Sequence, residues 1–450
     1  MALRNRSAIG IACLLLFVLT SCEQDVDLQV QCLAMSSAHF PGTTIGGTAV
    51  VTDREDLPGF CRVQGTIDPN IGFEARFPLA GWNGKYYQSG CGGYCGTRES
   101  IAIAGSARIN FGASVGHAWI RSALLEGQDA LSGADEMVVR AIAEGGAGDM
   151  ERPAFRAPLS GQQLEELRAH LEAGLDQGGL GIGMLLDYMS EVVDDAEMQI
   201  VFDVAAERQA PVFVHIRRGI VGDTAGLLEI IRYAAASGAP VHICPVQANA
   251  MGNIHESLRL IREARVDGIN ITTESFPYNA ASTSNTAAVF NRDWRTIFDI
   301  TYEDVEWAAS GERFTEQTWY EYREKYPGGT IIHHYNKEEW TSVATNARVL
   351  GRYVRERASL KLTDAIAKMT YLPASVLDDY SPAMALKGRI QAGADADITI
   401  FEPETVIDNS TYRDPYQASS GIEHVIVAGA IVIRDGEMQE EAFPGPRVLR

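Results

Sequence analysis

The stretch APVFVHIRRGIVGDTAGLLEIIRYAAASGAPVHICPVQ, residues 210–247, decides the fold. Its first apolar run, Pro211 to Ile216, and its last, Pro240 to Cys244, have the length and composition of buried strands. Between them, an amphipathic stretch over about residues 224–236 ends at Gly238, as helices commonly do. Strand, helix and strand in this order predict a βα unit of a parallel sheet.

The same alternation continues on both sides of this unit. Ser160 and Gln163 predict a capping box at the start of one helix, and further strands are expected near residues 179–184, 269–274 and 330–336. These make five strands in all, whereas a closed barrel needs eight. Strands near 72–77, 84–88 and 109–116 would be needed to complete the ring. The sequence therefore predicts an α/β fold built on an incomplete (β/α)8-type barrel.

The charge balance excludes one class of partner. Among 450 residues, 38 Lys and Arg stand against 59 Asp and Glu, which gives a formal net charge of −21. No local basic cluster offsets this charge, so we expect no nucleic-acid partner. Hydrophobic residues make up 46% of the chain, as in ordinary globular proteins.

Residues 1–21 predict an export signal. Arg4 and Arg6 precede an apolar run, Ile9 to Leu19, that is too short to span a bilayer stably. The run ends in LTSC, residues 19–22, which resembles the lipobox of bacterial lipoproteins and implies acylation of Cys22. We expect an exported, periplasmic protein whose contact with the membrane is this lipid anchor. The alternative is a plain cleaved signal and an incidental cysteine.

The remaining cysteines agree with export. An oxidising compartment allows two disulfides, and the local pairing is Cys32 with Cys61 and Cys91 with Cys95. A metal knuckle is the alternative for Cys91 and Cys95, although no partner pair follows them. Cys244 stands alone in an apolar run and is expected to be a small buried hydrophobe.

Residues 22–108 predict a β-rich segment and a junction. The stretches FCRVQGTI (60–67), IGFEARFPL (71–79) and GWNGKYYQSGCGGYCG (81–96) resemble the start of the tannase and feruloyl esterase family over about residues 28–97. This resemblance implies an oxyanion hole in the turn formed by residues 90–93. That family's serine elbow is absent after residue 97, so these glycines are expected to be turn residues.

From about residue 109 to residue 447 the chain resembles the N-acyl-D-amino-acid deacylases, or D-aminoacylases, of the amidohydrolase superfamily. The matching stretches include INFGASVGHAWIR (109–121), GGLGIGMLLDYMSE (178–191), TTESFPYNAASTS (272–284) and KGRIQAGADADITIFEPETVID (387–408). The resemblance implies a barrel portion over 109–385 and a small C-terminal β-sandwich segment over 386–450, with turns at Gly388 and Gly393. It also implies that zinc serves the hydrolysis of a small-molecule N-acyl amino acid.

The resemblance implies which residues hold the zinc. His215 falls on a family ligand at a strand end. The next ligand position falls on Pro245, which has no donor atom, and His242 on the same strand can replace it from a deeper level. The family's His-x-His pair has no counterpart, and its aspartate falls in an apparent gap where Ala347 runs directly into Arg348. His215 and His242 are the predicted metal ligands.

Three side chains are predicted to bind substrate: Arg217, His334 and Tyr278. Arg217, together with Arg218, offers a guanidinium for a substrate carboxylate, and a solvent-facing pair is the alternative. His333 and His334 end a strand, so one is expected to point into the barrel and the other into packing.

Three functions remain open from the sequence. The first is an amidohydrolase acting on N-acyl-D-amino acids, and the second is a tannase-like or feruloyl esterase-like hydrolase of carboxylic esters. The third is a non-catalytic chimeric or truncated chain joined near residues 97–108, since three protein ligands are the usual minimum for a catalytic zinc.

Overall fold

A computed structural model describes residues 32–33, 36, 43–51, 60–67, 71–78, 108–127, 150–221, 223–334, 346–411, 417–439 and 442–450. The chain divides into two compact units, Met1–Tyr87 and Gln88–Arg450. The signal, Cys22, Cys91, Cys95 and the strand expected near 84–88 lie outside the described residues. No helix in the described part of the chain is both long enough and apolar enough to cross a membrane.

The first unit contains a three-stranded antiparallel sheet in the order β1 (Thr43–Val51), β2 (Phe60–Ile67) and β3 (Ile71–Pro78). A disulfide joins Cys32 to Cys61 of β2, the pair expected from the sequence, with a Cα–Cα distance of 5.4 Å. Both cysteines are buried together with Val63. The strand expected near 72–77 therefore pairs with β2, and not with the parallel sheet of the second unit.

The second unit is centred on a five-stranded parallel sheet. Its strands follow one another in sequence order: β4 (Val115–Gly116), β5 (Ile182–Met184), β6 (Val212–Val214), β7 (Val241–Ile243) and β8 (Ile271–Thr273). The five strands are aligned so that successive residue pairs across the sheet join Val115, Ile182, Val212, Val241 and Ile271. The strands predicted near 109–116, 179–184, 211–216, 240–246 and 269–274 are confirmed.

Helices connect these strands and cover the sheet. They are α1 (His117–Glu126), α2 (Pro153–Arg156), α3 (Gly161–Asp176), α4 (Asp195–Arg208), α5 (Ala225–Ser237), α6 (Val246–Ala250) and α7 (Ile254–Val266). The predicted capping box begins α3, because the Ser160 hydroxyl accepts from Gln163 N–H and the Gln163 side chain accepts from Ser160 N–H. Leu167, Leu171 and Leu175 form the fully buried face of α3.

A buried ionic network joins α1 to α4. Glu197 accepts from both the His117 ring, at 2.6 Å, and the Arg121 guanidinium, at 2.5 and 2.7 Å. None of the three side chains is more than 1% exposed. Arg121 also donates to the Ala154 carbonyl at 2.8 Å, so α2 is held by the same guanidinium.

A second core lies around an antiparallel sheet in the order β10 (Val305–Trp307), β11 (Thr330–His333) and β9 (Ala281–Ser284). Helices α8 (Trp294–Phe298) and α9 (Glu316–Lys325) pack there with Phe290, Phe314 and Trp319. The prediction that the strand near 330–336 belongs to the parallel sheet is wrong. Thr330 is opposite Ser284 and Val305 is opposite His333, so both edges of β11 are occupied by the antiparallel strands β9 and β10.

The C-terminal part forms a small β-domain beside short helical segments. These segments are α10 (Asn346–Arg348), which continues into a π-helical stretch (Val349–Glu356), α11 (Leu362–Met369) and α12 (Tyr371–Ser375). The strands are β12 (Ile398–Phe401), β13 (Ile422–Val427), β14 (Ala430–Arg434) and β15 (Glu437–Met438), all antiparallel. Gly388 and Gly393 have φ of 71° and 87°, as expected of turn glycines.

Candidate metal centre

Three residues with metal-binding or acid–base side chains follow neighbouring strands of the parallel sheet. His215 follows β6, Cys244 follows β7 and Glu274 follows β8. The backbone N–H of each continues the ladder to the preceding strand, from His215 to Met184 (2.9 Å), from Cys244 to Val214 (2.9 Å) and from Glu274 to Ile243 (3.2 Å). All three therefore lie at one level, at the carboxyl edge of the sheet.

His242 joins this edge from within β7. It precedes Cys244 by two residues, so the two side chains share a face of the strand. Among the described residues, His242, Cys244 and Glu274 form the one group of three whose ligand atoms all lie within 4.8 Å of one another. His242 Nε2 lies 3.5 Å from Glu274 Oε2, and the Glu274 side chain is 56% exposed while that of His242 is 10% exposed.

The surroundings shift the pKa values of these side chains in different directions. Burial acts to raise the pKa of Glu274, but the neighbouring imidazole of His242 outweighs it, so this pKa lies below its usual value. Burial raises the pKa of the Cys244 thiol well above its usual value, and the Glu274 carboxylate adds to this. Burial lowers the pKa of His215 against the opposing charge of Asp187, so its imidazole is neutral near pH 7.

The donor set fits zinc. Imidazole nitrogen, cysteine sulfur and carboxylate oxygen are the three ligand types of protein zinc sites, and three protein ligands with an open fourth position are typical of catalytic ones. Coordination displaces the thiol proton, so the raised pKa of Cys244 makes zinc binding stronger as the pH rises. The side chains of His242 and Cys244 lie on the same face of the strand, whereas Pro245 lies on the other face. The Cys244 thiol is therefore the neighbour of His242 at the sheet edge.

The guanidinium of Arg217 is engaged in hydrogen bonds with three other residues. Its Nε donates to Glu229 at 3.0 Å, its Nη2 donates to the Val193 carbonyl at 2.6 Å, and its Nη1 donates to the Ser190 carbonyl. These bonds tie the segment after β6 to α5 and to the segment before α4. Substrate binding by Arg217 stays a prediction.

Arg218 is the cation that faces the His215 region. Its backbone N–H donates to Asp187 Oδ1 at 3.0 Å, and its Nη2 lies 3.4 Å from Asp187 Oδ2. The guanidinium also lies over the Phe298 ring, at 4.7 Å from its centroid. Its charge helps to lower the pKa of both His215 and His333, so Arg218 lies between the sheet edge and the second core.

His334 and Tyr278, the other predicted substrate residues, and His333 beside them contact side chains outside the donor group. His333 packs between Phe290 and Phe298, and burial lowers its pKa to about 3. His334 Nε2 lies 3.4 Å from Glu306 Oε2. Tyr278 has the Arg348 guanidinium over its ring at 4.9 Å, and Arg348 also pairs with Asp408 at 3.1 Å.

Similarity to known proteins identifies the fold of the chain. The chain is 29% identical over 344 residues to an N-acyl-D-glutamate deacylase from Alcaligenes xylosoxydans xylosoxydans, covering 68% of each chain. It is 26% identical over 380 residues to a D-aminoacylase from the same organism, covering 76% of this chain and 70% of the relative. A crystal structure of D-aminoacylase, described as defining a novel subset of amidohydrolases, gives a TM-score of 0.61 at 20% identity and covers 77% of this chain and 73% of its own. The chain has an amidohydrolase-type fold.

A second solved structure agrees with this assignment. The N-acyl-D-glutamate deacylase of Bordetella bronchiseptica, complexed with zinc and a phosphonate inhibitor, gives a TM-score of 0.59 at 24% identity and covers 76% of this chain and 72% of its own. No family model matches the chain. Within the amidohydrolase-type fold, the carboxyl edge of the parallel sheet is the face where barrel enzymes place their chemistry.

Sequence reasoning missed two members of the donor group. Cys244 was expected to be a buried hydrophobe, and Glu274 was not singled out. The sequence carries a signal for both, since a His-x-Cys pair ends one strand and a carboxylate ends the next. In an amidohydrolase-type fold, consecutive strand ends are neighbours, so such residues converge.

Proposed function

We propose that the chain hydrolyses the amide bond of N-acyl-D-amino acids, with zinc as its cofactor. The observation that carries this proposal is the gathering of His242, Cys244 and Glu274 at the carboxyl edge of the parallel sheet. Homology to an N-acyl-D-glutamate deacylase and a D-aminoacylase, over 68% and 76% of the chain, supports the same class of reaction.

The residues at this edge supply the remaining parts of an amide hydrolysis. Zinc in such a site polarises the substrate carbonyl and lowers the pKa of water. His215 provides an imidazole that accepts a proton from the attacking water and returns it to the leaving nitrogen as the C–N bond breaks. Asp187 N–H donates to the His215 carbonyl at 3.0 Å, which fixes the backbone from which this imidazole projects.

A substrate of this class carries a carboxylate, which needs a cation near the reacting bond. Arg218 meets this need better than Arg217, whose donors are engaged with Glu229 and two carbonyls. The Phe298 ring beneath Arg218 and the Asp187 carboxylate beside it hold the guanidinium in one orientation. We therefore assign the substrate carboxylate to Arg218.

The test is release of free amino acid by the purified full chain. N-acetyl-D-methionine and N-acetyl-D-glutamate are incubated with the zinc-loaded protein and with protein dialysed against a chelator, and the L enantiomers serve as controls. We expect turnover of a D substrate that depends on zinc. His215→Ala should lower kcat by at least about 100-fold, the usual range for a proton-transfer group. His170→Ala, an exposed site on α3, is the matched control and should leave kcat unchanged.

Two outcomes would overturn this proposal. The first is release of ferulate or gallate from an ester without hydrolysis of any N-acyl-D-amino acid, as the esterase alternative requires. The second is a zinc-loaded, folded chain that hydrolyses none of these substrates, as the non-catalytic alternative requires.

We also propose that the protein is exported and lipid-anchored through Cys22, and that its first unit is a tannase-like β-rich segment. The Cys32–Cys61 disulfide supports export, because such bonds persist in oxidising compartments. Strands β2 and β3 coincide with two of the stretches that resemble the tannase and feruloyl esterase family.

Labelled palmitate tests the anchor in a bacterial host. The wild-type chain and Cys244→Ser should incorporate the label and sediment with membranes, whereas Cys22→Ser should do neither. Equal labelling of Cys22→Ser would contradict the anchor.

A further inference from the structure

We propose that His242, Cys244 and Glu274 bind one zinc ion through Nε2, Sγ and a carboxylate oxygen, and that Thr272 positions the imidazole. This set of ligands differs from the one that the resemblance predicted, His215 with His242 in place of Pro245. The assignment names the metal ligands for the proposed amide hydrolysis, and the catalytic role of the ion rests on that proposed function.

The register of the sheet brings the three ligands together. Cys244 and Glu274 are each the first residue after a strand, and Glu274 N–H donates to Ile243, the residue before Cys244, at 3.2 Å. His242 lies one step deeper, on the same face of β7 as Cys244. The ligands therefore come from two adjacent strands with short separations, which a rigid parallel sheet holds in place.

Thr272 fixes which nitrogen of His242 faces the other ligands. The Thr272 hydroxyl has a single hydrogen, and it donates that hydrogen to the Val241 carbonyl at 3.3 Å. The same oxygen lies 2.8 Å from His242 Nδ1, so it is placed to accept a hydrogen bond from Nδ1–H when Nε2 binds a metal. Zinc binding at Nε2 displaces any proton from that nitrogen, and a hydrogen bond at the second nitrogen is what orients metal-binding histidines.

The separation of the ligand atoms suits a cation between them. His242 Nε2 and Glu274 Oε2 are 3.5 Å apart, which is longer than the 2.7–3.2 Å of an ordinary N–H···O bond. Tetrahedral zinc with bonds of roughly 2.0–2.1 Å to nitrogen and oxygen places those two atoms about 3.3 Å apart. Cys244 Sγ also lies within 4.8 Å of a ligand atom of His242 and of Glu274, so all three residues can contribute to one site.

The ligand types select among metals. Magnesium and calcium prefer sites made of oxygen atoms, whereas a thiolate and an imidazole favour zinc. The Glu274 side chain is 56% exposed, so a zinc ion held by these three residues would be reached from the solvent side of Glu274. A substrate carbonyl or a water can enter from that side.

The test measures metal binding and a spectroscopic signal, independently of turnover. Metal content of the full chain is determined by mass spectrometry, and zinc is then replaced by cobalt to record the thiolate-to-cobalt charge-transfer band. We expect one zinc per chain and a band that Cys244→Ser abolishes, together with a loss of zinc affinity of at least about 100-fold. The double variant Cys91→Ser/Cys95→Ser should keep both the band and the affinity, because it removes the alternative cysteine pair.

Two further variants keep the test decisive if Cys244→Ser fails to fold. Glu274→Gln changes a largely exposed side chain and should lower zinc affinity while the chain stays folded. Thr272→Val should lower it by roughly 10- to 100-fold, the usual cost of removing a partner behind a metal ligand. Thr273→Val is the matched control, since its hydroxyl donates to the Ile243 carbonyl and contacts no ligand nitrogen.

The outcomes separate this inference from the proposed function. Stoichiometric zinc whose band and affinity survive Cys244→Ser and Glu274→Gln would overturn the ligand assignment, even in an active enzyme. Zinc that depends on these residues in a chain without turnover would support the site and overturn the proposed amide hydrolysis.

Discussion

Replacing Glu197 by Gln should strongly destabilise the second unit. Glu197 is 1% exposed and neutralises Arg121, which is fully buried, through two contacts of 2.5 and 2.7 Å. Gln keeps the shape and one acceptor oxygen but removes the charge, so Arg121 stays buried without its counterion. Breaking a buried ion pair from one side typically costs 3–5 kcal/mol, and we expect about 3 kcal/mol because Arg121 retains the Ala154 carbonyl.

Urea unfolding followed by circular dichroism measures this loss. The matched control is Glu172→Gln, which removes a half-exposed partner of Arg168 at 3.4 Å and should cost less than about 1 kcal/mol. A change in the free energy of unfolding below 1 kcal/mol for Glu197→Gln would refute the account of the network.

Glu197 also makes the free energy of unfolding depend on pH. Burial acts to raise the pKa of Glu197, but His117 and Arg121 outweigh it, so the pKa lies below its usual value of 4.5. A carboxyl with a depressed pKa contributes stability that is fully present above its unfolded value and is lost as the pH falls through its folded value. The free energy of unfolding should therefore fall below pH 4.5 in the wild type, and fall less in Glu197→Gln; parallel pH profiles would contradict this.

Three further predictions concern the packing and the disulfide. Gly181→Ala should lower the free energy of unfolding by at least about 2 kcal/mol, because φ is 132° and a Cβ would overlap the Pro211 carbonyl. The control is Gly161→Ala, whose Cβ meets no atom within 4 Å and should not destabilise the protein, and thermal melts compare the two variants. Cys32→Ser should destabilise the first unit by roughly 3–4 kcal/mol, since the disulfide closes a separation of 29 residues, and equal protease resistance of variant and wild type would contradict this. Arg217→Ala should lower the melting temperature and leave KM within about threefold; a large rise in KM at unchanged stability would restore its predicted role in substrate binding.

Local patterns were sufficient to predict much of the fold. Ser160 with Gln163 predicts the start of α3, and the apolar runs predict β5 to β8, because these signals depend on neighbours in sequence. Strand direction is not encoded locally. Thr330 to His333 form a strand as predicted, but their pairing with β9 and β10 depends on how the chain enters and leaves the second core.

The candidate site was predictable only in part for the same reason. His215 and His242 stand at or near strand ends, so the sequence indicated them. Cys244 becomes a candidate ligand only beside Glu274, thirty residues later, and the Arg217 guanidinium donates to Glu229 on a different segment. Such pairings follow from the register of the sheet, which one sequence does not reveal.

Titration of the metal-free protein with zinc tests the central claim most directly. Hydrolysis of N-acetyl-D-methionine and N-acetyl-D-glutamate is measured at each addition, together with the zinc bound per chain. We predict that kcat/KM for a D substrate rises in proportion to bound zinc and reaches a plateau at one ion per chain. No turnover at one bound zinc, or turnover unaffected by removing the metal, would contradict it.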